Sequence, residues 1–279
     1  MRFGSFKAAV VLLIGTLNPA FSAPGLTIQV DYAMTLAGLS VGNATLTGSF
    51  DDHRYAMKLD GQLTGIAGVL SGGTKGAATV AGAASGGRLV STGFAATGRS
   101  STAERTLQIG LSSGNVTAVE IKPPFPEVPD RVPLRDADKH GVVDPLTALV
   151  TVPANRARPL DPGNCDRVLP VFEGTQRFDV ILSFGGRQVV RKPGYDGEVL
   201  VCDARYVPVA GHRPLRPGVR FMADSKDMSV WLAPAEGGRV LVPVRISVAT
   251  MLGTTLIEAQ TLRLGGPDPE RGEARVPTR

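Results

Sequence analysis

Two cysteines, Cys165 and Cys202, and three histidines, His53, His140 and His212, have the widest chemical reach in this 279-residue chain. By type, the cysteines could be buried thiols, a redox couple, metal ligands or a disulfide. No CxxC spacing is present, and the histidines lie too far apart in sequence to form a zinc ligand pair. Ser40 stands at the centre of GLSVG (38–42), the pattern of a nucleophile elbow, but that chemistry needs a strand, a sharp turn and then a helix. The next residues in the chain, NATLTGSF, read as another strand, so a hairpin turn is expected. DADKHG (136–141) opens like a calcium loop and then fails: His140 replaces an oxygen ligand, and Thr147 stands where the bidentate Glu belongs. Asp51, Asp52 and His53 make an acid/base cluster by type and a solvated turn by position. The remaining cluster is AGHRPLRPGVRF (210–221), where His212, Arg213, Arg216 and Arg220 could clamp a phosphate, carboxylate or lipid head group. Its plainer alternative is a solvated loop with arginines paired to acids such as Asp224. With no phosphate loop or dinucleotide fingerprint either, neither catalytic residues nor a metal or cofactor is expected.

The N-terminal residues set the compartment. Arg2 and Lys7 precede an apolar run from Ala8 to Leu17, then Pro19 and small residues, which is the layout of a secretory signal peptide. Cleavage after Ser22 is expected, with Ala20 and Ser22 as the small residues the peptidase needs. No cysteine comes after the apolar run for lipid attachment, and no later run is long and apolar enough to span a bilayer. Removal of Arg2 and Lys7 takes the basic residues from 30 to 28 against 25 acidic ones, a balance of +3. That mild, scattered charge argues against a nucleic-acid partner. Export also weights the cysteine alternatives, because an even number of cysteines in an oxidising compartment is usually paired. A structural disulfide between Cys165 and Cys202 is the leading reading.

The elements that must position these residues are strands. Leu26, Ile28, Val30, Tyr32, Met34 and Leu36 alternate with polar residues, the period of a half-buried strand. The alternation returns at 55–63, 107–111, 178–184, 200–206 and 240–248, with SSGN (112–115) and Gly185–Gly186 read as hairpin connections. The Gly/Ala/Ser/Thr-rich stretch 61–98 reads as strongly curved strands rather than a linker, its thin side chains leaving interior room for an apolar ligand. A proline-rich segment from Lys122 reads as a crossover inside one domain, followed by a short helix with Asp144 as cap and Pro145 in the first turn. Trp231 reads as strand core. The expected fold is all-β: a single antiparallel, strongly curved β-barrel or β-spiral over 23–265, then a disordered tail over 266–279.

In that order, GLSVGNATLTGSF, GVVDPLTALV, NCDRVLPVFEGTQRFDV, LVCDARYVPVAGHRP, MSVWLAP and VLVPVRISVATMLGTTLIEA resemble the bacterial family called domain of unknown function 3108, from about Ile28 to Leu264. The resemblance implies an exported envelope protein of Gram-negative, alphaproteobacterial type, and carries no catalytic residues. More loosely, the organisation is similar to disulfide-bearing periplasmic envelope-integrity proteins with a spiral β-barrel, and distantly to lipoprotein carriers. The function expected is that of a periplasmic, non-enzymatic envelope protein binding a lipid, lipoprotein or protein partner. A packed scaffold without ligand comes second and a hydrolase third.

Overall fold

Strands joined by turns too short to cross a sheet must pair antiparallel with their neighbours. A computed structural model, which describes residues 25–70 and 73–265, shows this throughout. The first run of strands is β1 (Leu26–Leu36), β2 (Leu39–Phe50), β3 (Arg54–Leu63), β4 (Lys75–Ser85), β5 (Arg88–Arg99), β6 (Glu104–Ser112) and β7 (Asn115–Lys122). The second is β8 (Arg167–Phe172), β9 (Arg177–Lys192), β10 (Tyr195–Ala210), β11 (Met228–Pro234), β12 (Leu241–Thr250) and β13 (Gly253–Arg263). They form one 13-stranded sheet in the order β7-β6-β5-β4-β3-β2-β1-β13-β12-β11-β10-β9-β8. Two meanders thus meet at a β1–β13 seam. The outer strands β7 and β8 do not pair, so the sheet is curled and open rather than a closed barrel. The expected signal peptide and C-terminal tail lie outside the described residues.

Leu26, Ile28, Val30 and Tyr32 are all buried, as the alternation in β1 requires. Their face continues across the sheet in a rung running Ile28, Gly48, Met57, Val80, Phe94 and Ile109. The crossover 123–166 lies over this core and contributes Val142, Leu146 and Val150 to it, while Tyr55 and Thr147 share a hydroxyl hydrogen bond of 2.7 Å. At the seam Asp31 accepts from Thr45 of β2 at 2.8 Å and from Thr261 of β13 at 2.6 Å. Those hydroxyls, Thr261 foremost, hold its carboxyl below the usual carboxylate range.

The Gly/Ala-rich stretch does form strands, β4 and β5. The SSGN turn joins β6 to β7 through Ser113 and Gly114, both in the left-handed region as a two-residue type I′ hairpin demands. Two expectations fail. Gly185 and Gly186 do not turn the chain: β9 passes straight through them, and the hairpin to β10 lies at Pro193–Gly194. Val201 faces Gly186 and Cys202 faces Phe184, so Gly185 is the extra residue of a bulge. A Cβ there would stand 2.8 Å from the Asp203 carboxylate, which explains the glycine. The helix expected after the crossover is only a 3-10 turn, Thr147–Leu149. Asp144 does serve its start, accepting from the N–H groups of Leu146 and Thr147, but Thr151 then pairs with Leu241, pulling the chain into an extended bridge. The α-helices lie elsewhere, α1 (Gly65–Leu70) after β3 and α2 (Pro217–Asp224) after β10.

Candidate functional site

The two cysteines are joined in a disulfide, Cα to Cα 5.4 Å, linking the end of the Pro162–Asn164 turn to β10. Asn164 is buried and bonded at both ends of its amide, accepting from the Ala154 N–H and donating to the Pro159 carbonyl. Both cysteines are inaccessible to solvent and pack with Leu182, Leu200, Leu232 and Leu241.

Leu182 and Leu232 are also walls of a cavity of about 400 Å³. Its sides are the inward faces of β8 to β12, with Leu169, Phe178, Val180, Tyr206, Val230 and Ile246 among them. Pro145, Ala148 and Leu149 of the crossover close one side, and Met222 of α2 another. The strand period explains the wall: Phe178, Val180 and Leu182, like Ala204 and Tyr206, occupy alternate positions and so share a face. The volume falls in the lower part of the range for small-molecule sites, and the lining is of the apolar kind typical of them.

Arg167 interrupts this lining. It precedes Leu169 and Val171 at the strand period and therefore points to the same side of β8. Its guanidinium donates to the Thr151 hydroxyl, its Nε is buried with no hydrogen-bond partner, and it forms no ion pair among the described residues. Burial pulls its pKa down to about 10, leaving it charged at neutral pH. Sequence reasoning passed over this residue. The signal lay in CDRVLPV, where a charge occupies the apolar phase of a strand two positions after a cysteine.

The four residues of the candidate anion site are near one another in sequence but face different surroundings. Arg213 is engaged with Asp130, Nε to Oδ1 2.7 Å, rather than with Asp224, and this bond holds the Asp130 carboxyl below its usual range. His212 is half-buried, its Nδ1 without a partner, and burial lowers its pKa. Arg216 and Arg220 are exposed at the start of α2 and on it, and neither forms an ion pair among the described residues. Beside them Leu215 and Phe221 are also exposed.

A second hollow, of about 1390 Å³, is broad and open. It lies over the thin-sided face of β1 to β7, where Ser49, Ala56, Ala81, Gly93, Gly110 and Ala118 form one rung and Lys58, Gln108 and Glu120 belong to the next. Thin strands do leave room, as expected, with Ile28, Met57, Val80, Phe94 and Ile109 lining it beside the polar residues, whereas the wall of the cavity in the other half of the sheet is almost wholly apolar. The elbow serine, Ser40, sits in β2 just after the Ala37–Gly38 turn, with no hydrogen bond to a histidine among the described residues. Asp51 accepts from the N–H groups of His53 and Arg54, which makes DDHRY a turn. Among the described residues no group of three His, Cys, Asp or Glu is placed to hold a metal. Nor is any helix among them long and apolar enough to cross a membrane.

A family model described as Protein of unknown function (DUF3108) matches residues 31–260. The chain belongs to that family. The match includes both cysteines, Arg167 and all of α2, so the cavity of this DUF3108 chain is built within the family's own span. No curated protein matches the chain. The DUF3108 assignment specifies no reaction, and the reading of function rests on the cavity.

Proposed function

We propose that this protein is an exported, periplasmic, non-enzymatic component of the cell envelope that shelters the acyl chain of a lipid or lipoprotein. The observation that carries the reading is the 400 Å³ cavity with an almost wholly apolar wall. Hydrocarbon seated against such a wall makes dispersion contacts that water does not. An acyl chain there also gains about 0.8 kcal/mol for each methylene removed from water. The N-terminal layout of charge, short apolar run and small-residue site supports export. In this reading α2 borders the entrance, Met222 over the cavity and Leu215 and Phe221 exposed. Arg216 and Arg220 would there meet the phosphates of a membrane surface.

The test is native mass spectrometry and lipid extraction of protein purified from its own cell envelope, with titration of a fluorescent acyl probe into the delipidated form. A bound lipid, and a probe displaced by it at one site per chain, are expected. Protein that is reproducibly empty and does not bind the probe overturns the reading in favour of a scaffold.

A further inference from the structure

The acyl-chain reading leaves the polar end of the ligand undefined, and the cavity wall itself defines it. Two arginines border the cavity, Arg167 and Arg205. Arg205 lies between Ala204 and Tyr206, both on the cavity side of β10, so its exposed side chain points to the opposite face. Arg167 has the reverse phase and is the cation on the cavity side. A buried guanidinium is ordinarily paired with a carboxylate or phosphate, since desolvation of an unpaired charge is severe. Here one nitrogen donates to Thr151 and the buried Nε has no partner, so the guanidinium keeps donor capacity that the chain does not satisfy. The disulfide two residues before Arg167 fixes the start of β8 to β10, and the bridge of Thr151 to Leu241 fixes the other contact of the guanidinium. The cation is therefore held in position before any ligand arrives.

We propose that the ligand is a single-chain amphiphile with a carboxylate head, its hydrocarbon chain in the cavity and its carboxylate paired with Arg167. A carboxylate fits because its charge complements the unpaired guanidinium and its two oxygens can accept from the nitrogens of the fork. A single chain fits because the cavity is near the small end of ligand sites. The inference rests on the acyl-chain reading and adds the head group to it.

The experiment compares hexadecanoate with its methyl ester, which has the same chain and no charge, on delipidated, disulfide-intact protein by isothermal titration calorimetry. Hexadecanoate should bind about 10- to 100-fold more tightly than the ester, the range for a hydrogen bond to a charged group. Arg167→Gln should abolish that preference by weakening the acid alone, leaving the ester unchanged. The carboxyl carbon of 13C-labelled hexadecanoate should titrate at lower pH when bound to the wild type than when bound to the variant, because the guanidinium favours the ionised form. Equal affinity of acid and ester for the wild type overturns the pairing and leaves the acyl-chain reading standing. A preference that survives in Arg167→Gln overturns the assignment to this residue. Failure of both ligands to bind overturns both proposals. The wild-type comparison decides the head group even if the variant does not fold.

Discussion

Reducing the Cys165–Cys202 disulfide should destabilise the protein by about 4 kcal/mol. The bond closes a loop with a sequence separation of 37, and the chain-entropy relation for a loop of that length gives about this value at 25 °C. Comparing oxidised with reduced wild type isolates the cross-link, because the sulfur atoms stay in place. The Cys165 thiol then keeps an acceptor in the Val201 carbonyl, 3.6 Å away. Replacement of both cysteines by alanine would add the loss of two fully buried side chains and confound the measurement. The assay is urea unfolding followed by fluorescence of Trp231, the single tryptophan, which lies on β11 against β10 and reports on the strand that carries Cys202. With a urea slope of about 2 kcal/mol/M the midpoint should fall by about 2 M on reduction. Oxidised and reduced midpoints within about 0.3 M of each other would refute the loop-closure argument. The loop contains β8, β9 and the first part of β10, which wall the cavity. Reduction should therefore also weaken binding of an acyl probe before global unfolding begins.

Other consequences are open to direct measurement. Val230→Trp, projecting into the cavity, should block acyl-probe binding with a change in stability within about 3 kcal/mol, the ordinary range for overpacking; unchanged binding would locate the ligand elsewhere. Leu46→Ala, at a wholly buried position on the core face, should cost about 2–5 kcal/mol by chemical denaturation. The Asp31 carboxyl should titrate below its normal range by NMR, and Thr261→Val should raise it. Since its folded pKa is depressed, Asp31 contributes stability above the unfolded value of about 3.9 and loses it as pH falls through the folded one. N-terminal sequencing of exported protein should begin at Ala23, and an intact Met1 would refute the cleavage.

Much of the sheet was legible because period-two alternation is a local property, and the burial of Leu26, Ile28, Val30 and Tyr32 obeys it residue by residue. The disulfide was legible from an even cysteine count behind a segment laid out like a signal peptide. What local pattern could not supply is whether a glycine pair turns the chain or bulges it. At Gly185 that is decided by Asp203 on the partner strand. The missing helix has the same origin: Asp144 provides a cap, but the pairing of Thr151 with Leu241, a residue remote in sequence, ends the turn at once. The anion cluster was found by density of arginines, whereas Arg167 stands alone. Its significance comes from its place on the cavity wall, paired with Leu182 of β9 and bonded to Thr151 of the crossover. A single charge in the apolar phase of a strand is a weak sequence signal and a strong structural one.

The placement of the first and last strands side by side in the middle of the sheet bears on how the molecule is made. Thr261 bonds to Asp31 across 230 residues, whereas every other strand pairing in the sheet joins consecutive strands. Each meander can therefore assemble from local hairpins, the kind of contact that forms early. The seam closes only when the final strand arrives. Until then β1 presents a bare edge with Leu26, Ile28 and Val30 beside it, a template for any extended chain nearby. A chain lacking β13 should accordingly be more prone to aggregate than one nicked in the crossover. A circular permutant joining the present ends and opening between β7 and β8 would convert the slowest pairing into a local one.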